Sequence, residues 1–152
     1  KKIQILVSMP NADTNTNKIY NEIINHRGNS IKKFKSIEYE DFVSLMKYSI
    51  FIIGNSSSGI IEAPSMKIPT INVGRRQHGR LRANSIIDST YKITDIKNSI
   101  KRAMSKNFQK KLKKVKNPYY HGNATDKIVN IIKKIKSFDH FDKIEFFNLK
   151  KN

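Results

Sequence analysis

The sequence predicts an α/β fold built on a parallel sheet, and three observations predict it. Short apolar runs of strand length alternate with segments of helical period along most of the chain. The run SIFII at residues 49–53 is apolar on both faces, as a strand covered from both sides must be. Turn and stop signals fall between the runs, with Pro10-Asn11 after the first strand and Gly28 after the first helix.

The elements follow in order. Residues 3–9 (IQILVSM) make the first strand. Residues 17–26 place Ile19, Ile23 and Tyr20 on one helical face, and residues 34–37 make a short second strand. Residues 39–48 (YEDFVSLMKY) read as a helix that turns Phe42, Leu45 and Met46 inward. The apolar strand 49–53 comes next, then a helix starting near Gly59 and a strand at residues 70–73. A polar loop leads to a short strand near residues 85–87 and a helix over 95–104. A helix over 124–136 and an amphipathic segment over 138–149 close the chain. Strands alternating with helices imply right-handed crossovers and a parallel sheet with helices on both faces, a Rossmann-like domain. Ligands of such sheets sit outside the carboxyl ends of the strands, here the loops after Met9, Ile53 and Val73.

With 152 residues the chain fits one domain, 1–152, in which 138–152 is a terminal helix or tail. A domain of this size hides roughly 68–70% of its unfolded surface, enough for a real core. No run approaches the ~20 apolar residues that span a bilayer, so no membrane partner is expected. The start runs directly into a strand without a cleavage site, and a signal peptide is not expected. The absence of cysteine excludes disulfides, thiolate catalysis and thiolate-bound zinc, and goes with a cytoplasmic setting. Neither a metal nor a cofactor is expected.

Thirty Lys and Arg against twelve Asp and Glu give a net charge of +18, which suits polyphosphate partners. Lys, Ile and Asn all have A/T-rich codons, however, and the lysines between 97 and 136 recur among Ile, Leu and Val as a solvated helix face does. No aromatic-basic motif for reading bases accompanies them. A nucleic-acid module is therefore a minor alternative.

The informative stretch is residues 54–82, GNSSSGIIEAPSMKIPTINVGRRQHGRLR. Ser56, Ser57 and Ser58 sit between a buried strand and a helix start. Their hydroxyls, the free N–H groups and the positive helix end suit a phosphate. A plain serine-rich capping loop fits the same residues. Glu62 would repel a phosphate unless it points aside, where two ribose hydroxyls could donate to it. It could equally close a capping box with the region of Gly59. Arg75, Arg76, Arg80 and Arg82 cluster after the next strand, in a loop expected beside the serine loop. An arginine fork grips phosphate at two points.

The run from Gly54 to Ala83 closely resembles the hydrolysing UDP-N-acetylglucosamine 2-epimerases of sialic- and related nonulosonic-acid biosynthesis. The resemblance extends to MPNAD at residues 9–13 and NPYYHGN at residues 117–123. It implies the carboxyl-terminal lobe of a two-lobed, GT-B-type enzyme, with the amino-terminal lobe as its missing partner and a homo-oligomeric parent. By the resemblance Ser56 and Ser57 hold the diphosphate of UDP or UDP-N-acetylglucosamine, Glu62 the ribose, and Arg76 of the GxRQ motif a phosphate. Phe42 corresponds to an aromatic against the uracil, although an ordinary core role fits it equally. Asn11 and Asp13 match a turn near the cleft. Tyr120-His121 depart from the Gly-Asp usual in relatives, which puts contacts of that loop in doubt. The implied reaction eliminates UDP to a glycal and adds water to give N-acetylmannosamine. Its acid–base groups come mainly from the other lobe. Asp13, Glu38, Glu40, Asp41 and Glu62 form no catalytic pair, and His78 suits a solvated loop position. The chain alone is expected to be inactive, with no catalytic residue of its own. A GT-B glycosyltransferase would use a similar lobe, but the RQHGR continuation argues against it.

Overall fold

The computed structural model describes residues 3–10 and 16–135. Among them, strand β1 (Ile5–Ser8) pairs in parallel with β2 (Ile31–Phe34), and helix α1 (Thr16–Asn25) connects the two. After α2 (Tyr39–Lys47) come β3 (Ile52–Gly54), α3 (Ser58–Ile61) and a 3₁₀ turn at Ala63–Met66. They lead to β4 (Thr70–Val73), β5 (Ile86–Ser89), α4 (Ile93–Met104), α5 (Lys106–Leu112) and α6 (Ala124–Lys134). Every strand pairing is parallel, as the alternation requires. The strands form two ladders, one of β1 and β2 and one in the order β3-β4-β5.

The strand expected at 49–53 begins later and takes a different place. Ser49 is still tied to the end of α2: its N–H donates to the Met46 carbonyl at 3.0 Å and its Oγ to the Leu45 carbonyl at 2.7 Å. The backbone therefore extends only from Ile52, and β3 lies at the edge of its ladder, with Ile53 exposed. β4 holds the centre instead, and its Thr70, Ile71 and Asn72 are all buried. The second strand likewise sits earlier than 34–37, because Ile31 pairs with Ile5 and Phe34 with Ser8.

The main core lies between the β4–β5 ladder and the α4–α5 pair. Ile71, Ile87, Ala103, Phe108, Leu112 and Val115 are buried there, with Phe51, Val73 and Ile100 packed against them. Ser105 separates the two helices and caps the second, its Oγ accepting from the Phe108 N–H at 3.2 Å. Ile60, Ala63 and Pro64 bury the segment that follows the serine loop. On α2, Met46 is buried as expected, whereas Phe42 and Leu45 are half-buried.

Neither α1 nor α6 buries a residue. Ile5 and Leu6 of β1, Ile19, Tyr20 and Ile24 of α1, and Ile128, Val129, Ile131 and Ile132 of α6 are exposed. The expected amphipathic segment at 138–149 lies outside the described residues. Among the described residues, no helix is long and apolar enough to cross a membrane.

Candidate functional site

The carboxyl ends of β3 and β4 carry the two loops singled out in the sequence, and the structure brings them together. Gln77 Nε2 donates to the Asn55 carbonyl at 2.8 Å, and Arg76 Nη1 reaches the same oxygen at 3.5 Å. The arginine loop itself is two successive turns, the His78 N–H donating to Arg75 O at 2.9 Å and the Arg80 N–H to Gln77 O at 3.4 Å. Arg75, Arg76, His78 and Arg80 are all exposed. Gln77, in their midst, is only 3% exposed. It is the anchor of the loop, a role the sequence does not reveal.

Gly74 opens this loop with φ +82°, and the Tyr91 ring lies so close that a Cβ there would collide with the hydroxyl. The left-handed backbone calls for glycine, whereas the exposed Tyr91 ring is free to swing aside.

On the facing side, Ser56 is exposed and its Oγ accepts from the Ser58 N–H at 3.4 Å. Ser57 is half-buried at the cap position of α3, and its carbonyl accepts from the N–H groups of Ile60 and Ile61 at 2.9 and 2.8 Å. Gly59 seats this turn on the sheet: a Cβ there would stand 2.7 Å from Thr70 Cγ2. The backbone of the serine loop is thus fixed against the sheet, with the arginine loop held beside it.

Glu62 stands elsewhere on its helix than the sequence suggests. It is not in the first turn of a long helix but at the carboxyl end of α3, which has four residues. Pro64 is the reason, since proline supplies no N–H and disfavours helical backbone in the residue before it. The chain therefore tightens into the 3₁₀ turn at Ala63–Met66. No side chain caps α3, so the capping-box role is not formed. One carboxylate oxygen of Glu62, Oε2, is buried without a hydrogen-bond partner in the protein.

Phe42, half-buried on α2, leaves part of its ring accessible. Asn11 and Asp13 lie outside the described residues.

A third loop, from the NPYYHGN run, is tied to the other two. Asn117 Nδ2 donates to the Ile61 carbonyl at 2.8 Å and to Ser65 Oγ at 2.6 Å, while its Oδ1 accepts from the Tyr119 N–H at 2.9 Å. The Tyr119 hydroxyl donates to the Leu81 carbonyl at 3.2 Å. Tyr120 and His121 are exposed. Cavities of about 490 and 460 Å³ are lined elsewhere, by Arg102 and Lys111 in one and by Ile50 and Met104 in the other. The paired loops form an open polar surface. Such a surface can hold an anion between serine hydroxyls and an arginine, with a carboxylate acceptor nearby.

A family model described as UDP-N-acetylglucosamine 2-epimerase matches residues 1–133. The polysialic acid biosynthesis protein P7 of Escherichia coli is 40% identical over 114 residues, 75% of this chain and 29% of that protein. A UDP-N-acetylglucosamine 2-epimerase of Neisseria meningitidis is 40% identical over 101 residues, covering 66% of this chain and 27% of that protein. The GDP/UDP-N,N'-diacetylbacillosamine 2-epimerase (hydrolyzing) of Campylobacter jejuni is 38% identical over 112 residues, 72% of this chain and 29% of that protein. The chain thus spans less than a third of the length of each of these three relatives. In fold it is similar to the crystal structure of UDP-GlcNAc 2-epimerase from Neisseria meningitidis bound to UDP-GlcNAc. The TM-score is 0.61 at 22% identity, over 87% of this chain and 36% of that one.

Proposed function

The chain belongs to the UDP-N-acetylglucosamine 2-epimerase family, and on that premise we propose that it is the UDP-binding lobe of a hydrolysing UDP-N-acetylglucosamine 2-epimerase. The observation that carries this reading is the junction at the Asn55 carbonyl, where Gln77 and Arg76 set the arginine loop against the serine loop. Ser56, Ser57 and Arg76 hold the diphosphate. Glu62 accepts from the ribose hydroxyls through its carboxylate, on a side chain that is only half-buried. Phe42 offers the open part of its ring to the uracil, and the family likeness adds Asn11 and Asp13 to the proposed ligand contacts. The neighbour of similar fold is described as bound to UDP-GlcNAc, which supports a nucleotide sugar as the ligand class.

In the proposed reaction UDP leaves by elimination, and water adds to the glycal to give N-acetylmannosamine, within sialic- or related nonulosonic-acid biosynthesis. This lobe orients the nucleotide, so that the leaving diphosphate is already neutralised when the bond to the sugar breaks. The acid and base groups at the sugar carbons come from a second, amino-terminal lobe, and residues 1–152 alone turn over no substrate. The exposed apolar side chains of β1, α1 and α6 supply surface for the rest of the enzyme to cover. The absence of cysteine goes with a cytoplasmic setting, and the family likeness with a homo-oligomeric parent.

Calorimetry at low salt tests the reading. UDP and UDP-N-acetylglucosamine should bind the folded chain with similar, modest affinity, since the proposed contacts address the nucleotide. A folded sample that gives no heat with UDP would overturn it.

A further inference from the structure

Beneath the arginine loop, a chain of polar contacts runs from the sheet to the serine loop. Asn72 of β4 and Asp88 of β5 are direct partners in the strand register, and Asn72 Nδ2 donates to Asp88 Oδ1 at 2.7 Å. The other carboxylate oxygen, Oδ2, stands 3.4 Å from Arg82 Nε. Arg82 Nη2 donates in turn to the backbone carbonyl of Gln77 at 3.2 Å. Gln77 then holds Asn55 through its side chain.

We propose that Asp88 and Arg82 are positioning residues that fix the arginine loop in its diphosphate-binding shape, Asp88 by aiming the Arg82 fork at Gln77. The proposal rests on the UDP-binding reading of the site. It gives two arginines of the cluster different roles. Arg76 meets the ligand, while Arg82 is turned inward as a strut.

Three features carry the division. Arg82 is half-buried, and its Nη1 is fully withdrawn from solvent. Both oxygens of Asp88 are engaged, one by a residue only 1% exposed, so the carboxylate has its orientation set from the rigid centre of the sheet. The Gln77 carbonyl also accepts from the Arg80 N–H, so the Arg82 fork meets the loop where its second turn closes. An arginine suits this place because one planar fork addresses the carboxylate with Nε and the carbonyl with Nη2 at once, which a lysine cannot do.

The test has two arms, both on the 152-residue chain. In the ligand-free protein, NMR follows hydrogen exchange of the Gln77 side-chain amide. Asp88→Asn and Arg82→Lys should each speed it by roughly fivefold, the scale of one hydrogen bond. In titrations, the same variants should bind UDP roughly fivefold more weakly, while uridine, which lacks the diphosphate, binds unchanged. Asp88→Glu should recover most of the UDP affinity. Folded variants with unchanged Gln77 exchange and unchanged UDP affinity overturn the proposal, and so do equal losses for UDP and uridine, which mark general loosening. Failure of the unaltered chain to bind UDP overturns the functional reading instead, and the exchange arm then decides the strut by itself. Arg82→Gln gives a second test of the strut if Arg82→Lys does not fold.

Discussion

The side chain of Asn117 donates to the backbone carbonyl of Ile61, 56 residues earlier in sequence, at 2.8 Å. Ile61 is the last residue of α3, directly before Glu62, so this bond ties the NPYYHGN loop to the segment that presents the carboxylate. A second donation to Ser65 Oγ holds the 3₁₀ turn on the other side of Glu62. Replacing Asn117 with Ala removes both donations and the acceptor for the Tyr119 N–H. Chemical denaturation should show a loss of about 2 kcal/mol, the scale of stranding partly buried polar groups. Asn117→Asp, which keeps the acceptor alone, should recover only part of it.

Gly59 is held to its size by Thr70. With Thr70 Cγ2 only 2.7 Å from where a Cβ would stand, Gly59→Ala forces the start of α3 away from β4. Overpacking of this kind costs about 1–3 kcal/mol. Removing the offending methyl with Thr70→Ser in the same chain should return most of the loss. Equal stability of the single and double variants would show that the contact is not the cause.

Arg76→Ala should weaken UDP binding by about 1.5–3 kcal/mol, the scale of hydrogen bonds to a charged group. Lys110→Ala and Lys134→Ala, on exposed helix faces, should change it little. Calorimetry on the three variants separates a site from bulk charge: similar losses at all three would assign the affinity to the net charge of +18.

These expectations draw unequally on the sequence. The strand at residues 70–73 is legible to the residue, because a largely β-branched run bounded by Pro69 and Gly74 admits little else. The neighbourhood of the serine and arginine loops is legible too, since both leave the carboxyl ends of adjacent parallel strands. α5 does not stand out as a separate helix: its seven residues KNFQKKL offer only Phe108 and Leu112 as an apolar pair, too short a sample of helical period. Counting from Gly59 without weighing Pro64 misplaces Glu62. Gln77, Arg82 and Asp88 give no signal of their buried contacts, because a polar residue among arginines carries no mark of being turned inward. Their roles come from packing, which one sequence does not display.

Glu62 supplies the test most specific to a nucleotide. Its side chain is half-buried at the end of α3, beside the serine loop. A ribose hydroxyl that donates to this carboxylate makes a charge-assisted bond, a class stronger than bonds between neutral groups. Glu62→Gln keeps the size of the side chain but replaces one acceptor oxygen with an amide donor, which faces the hydroxyl badly. Binding of UDP should therefore weaken by about 1.5–3 kcal/mol. Inorganic pyrophosphate separates the causes, because it offers the diphosphate to Ser56, Ser57 and Arg76 but has no ribose. Its affinity should be unchanged in Glu62→Gln, or slightly raised by loss of a nearby negative charge. Titrations of the two ligands against both proteins give the comparison directly. If pyrophosphate loses as much affinity as UDP, Glu62 supports the fold of the serine loop and does not meet the ribose.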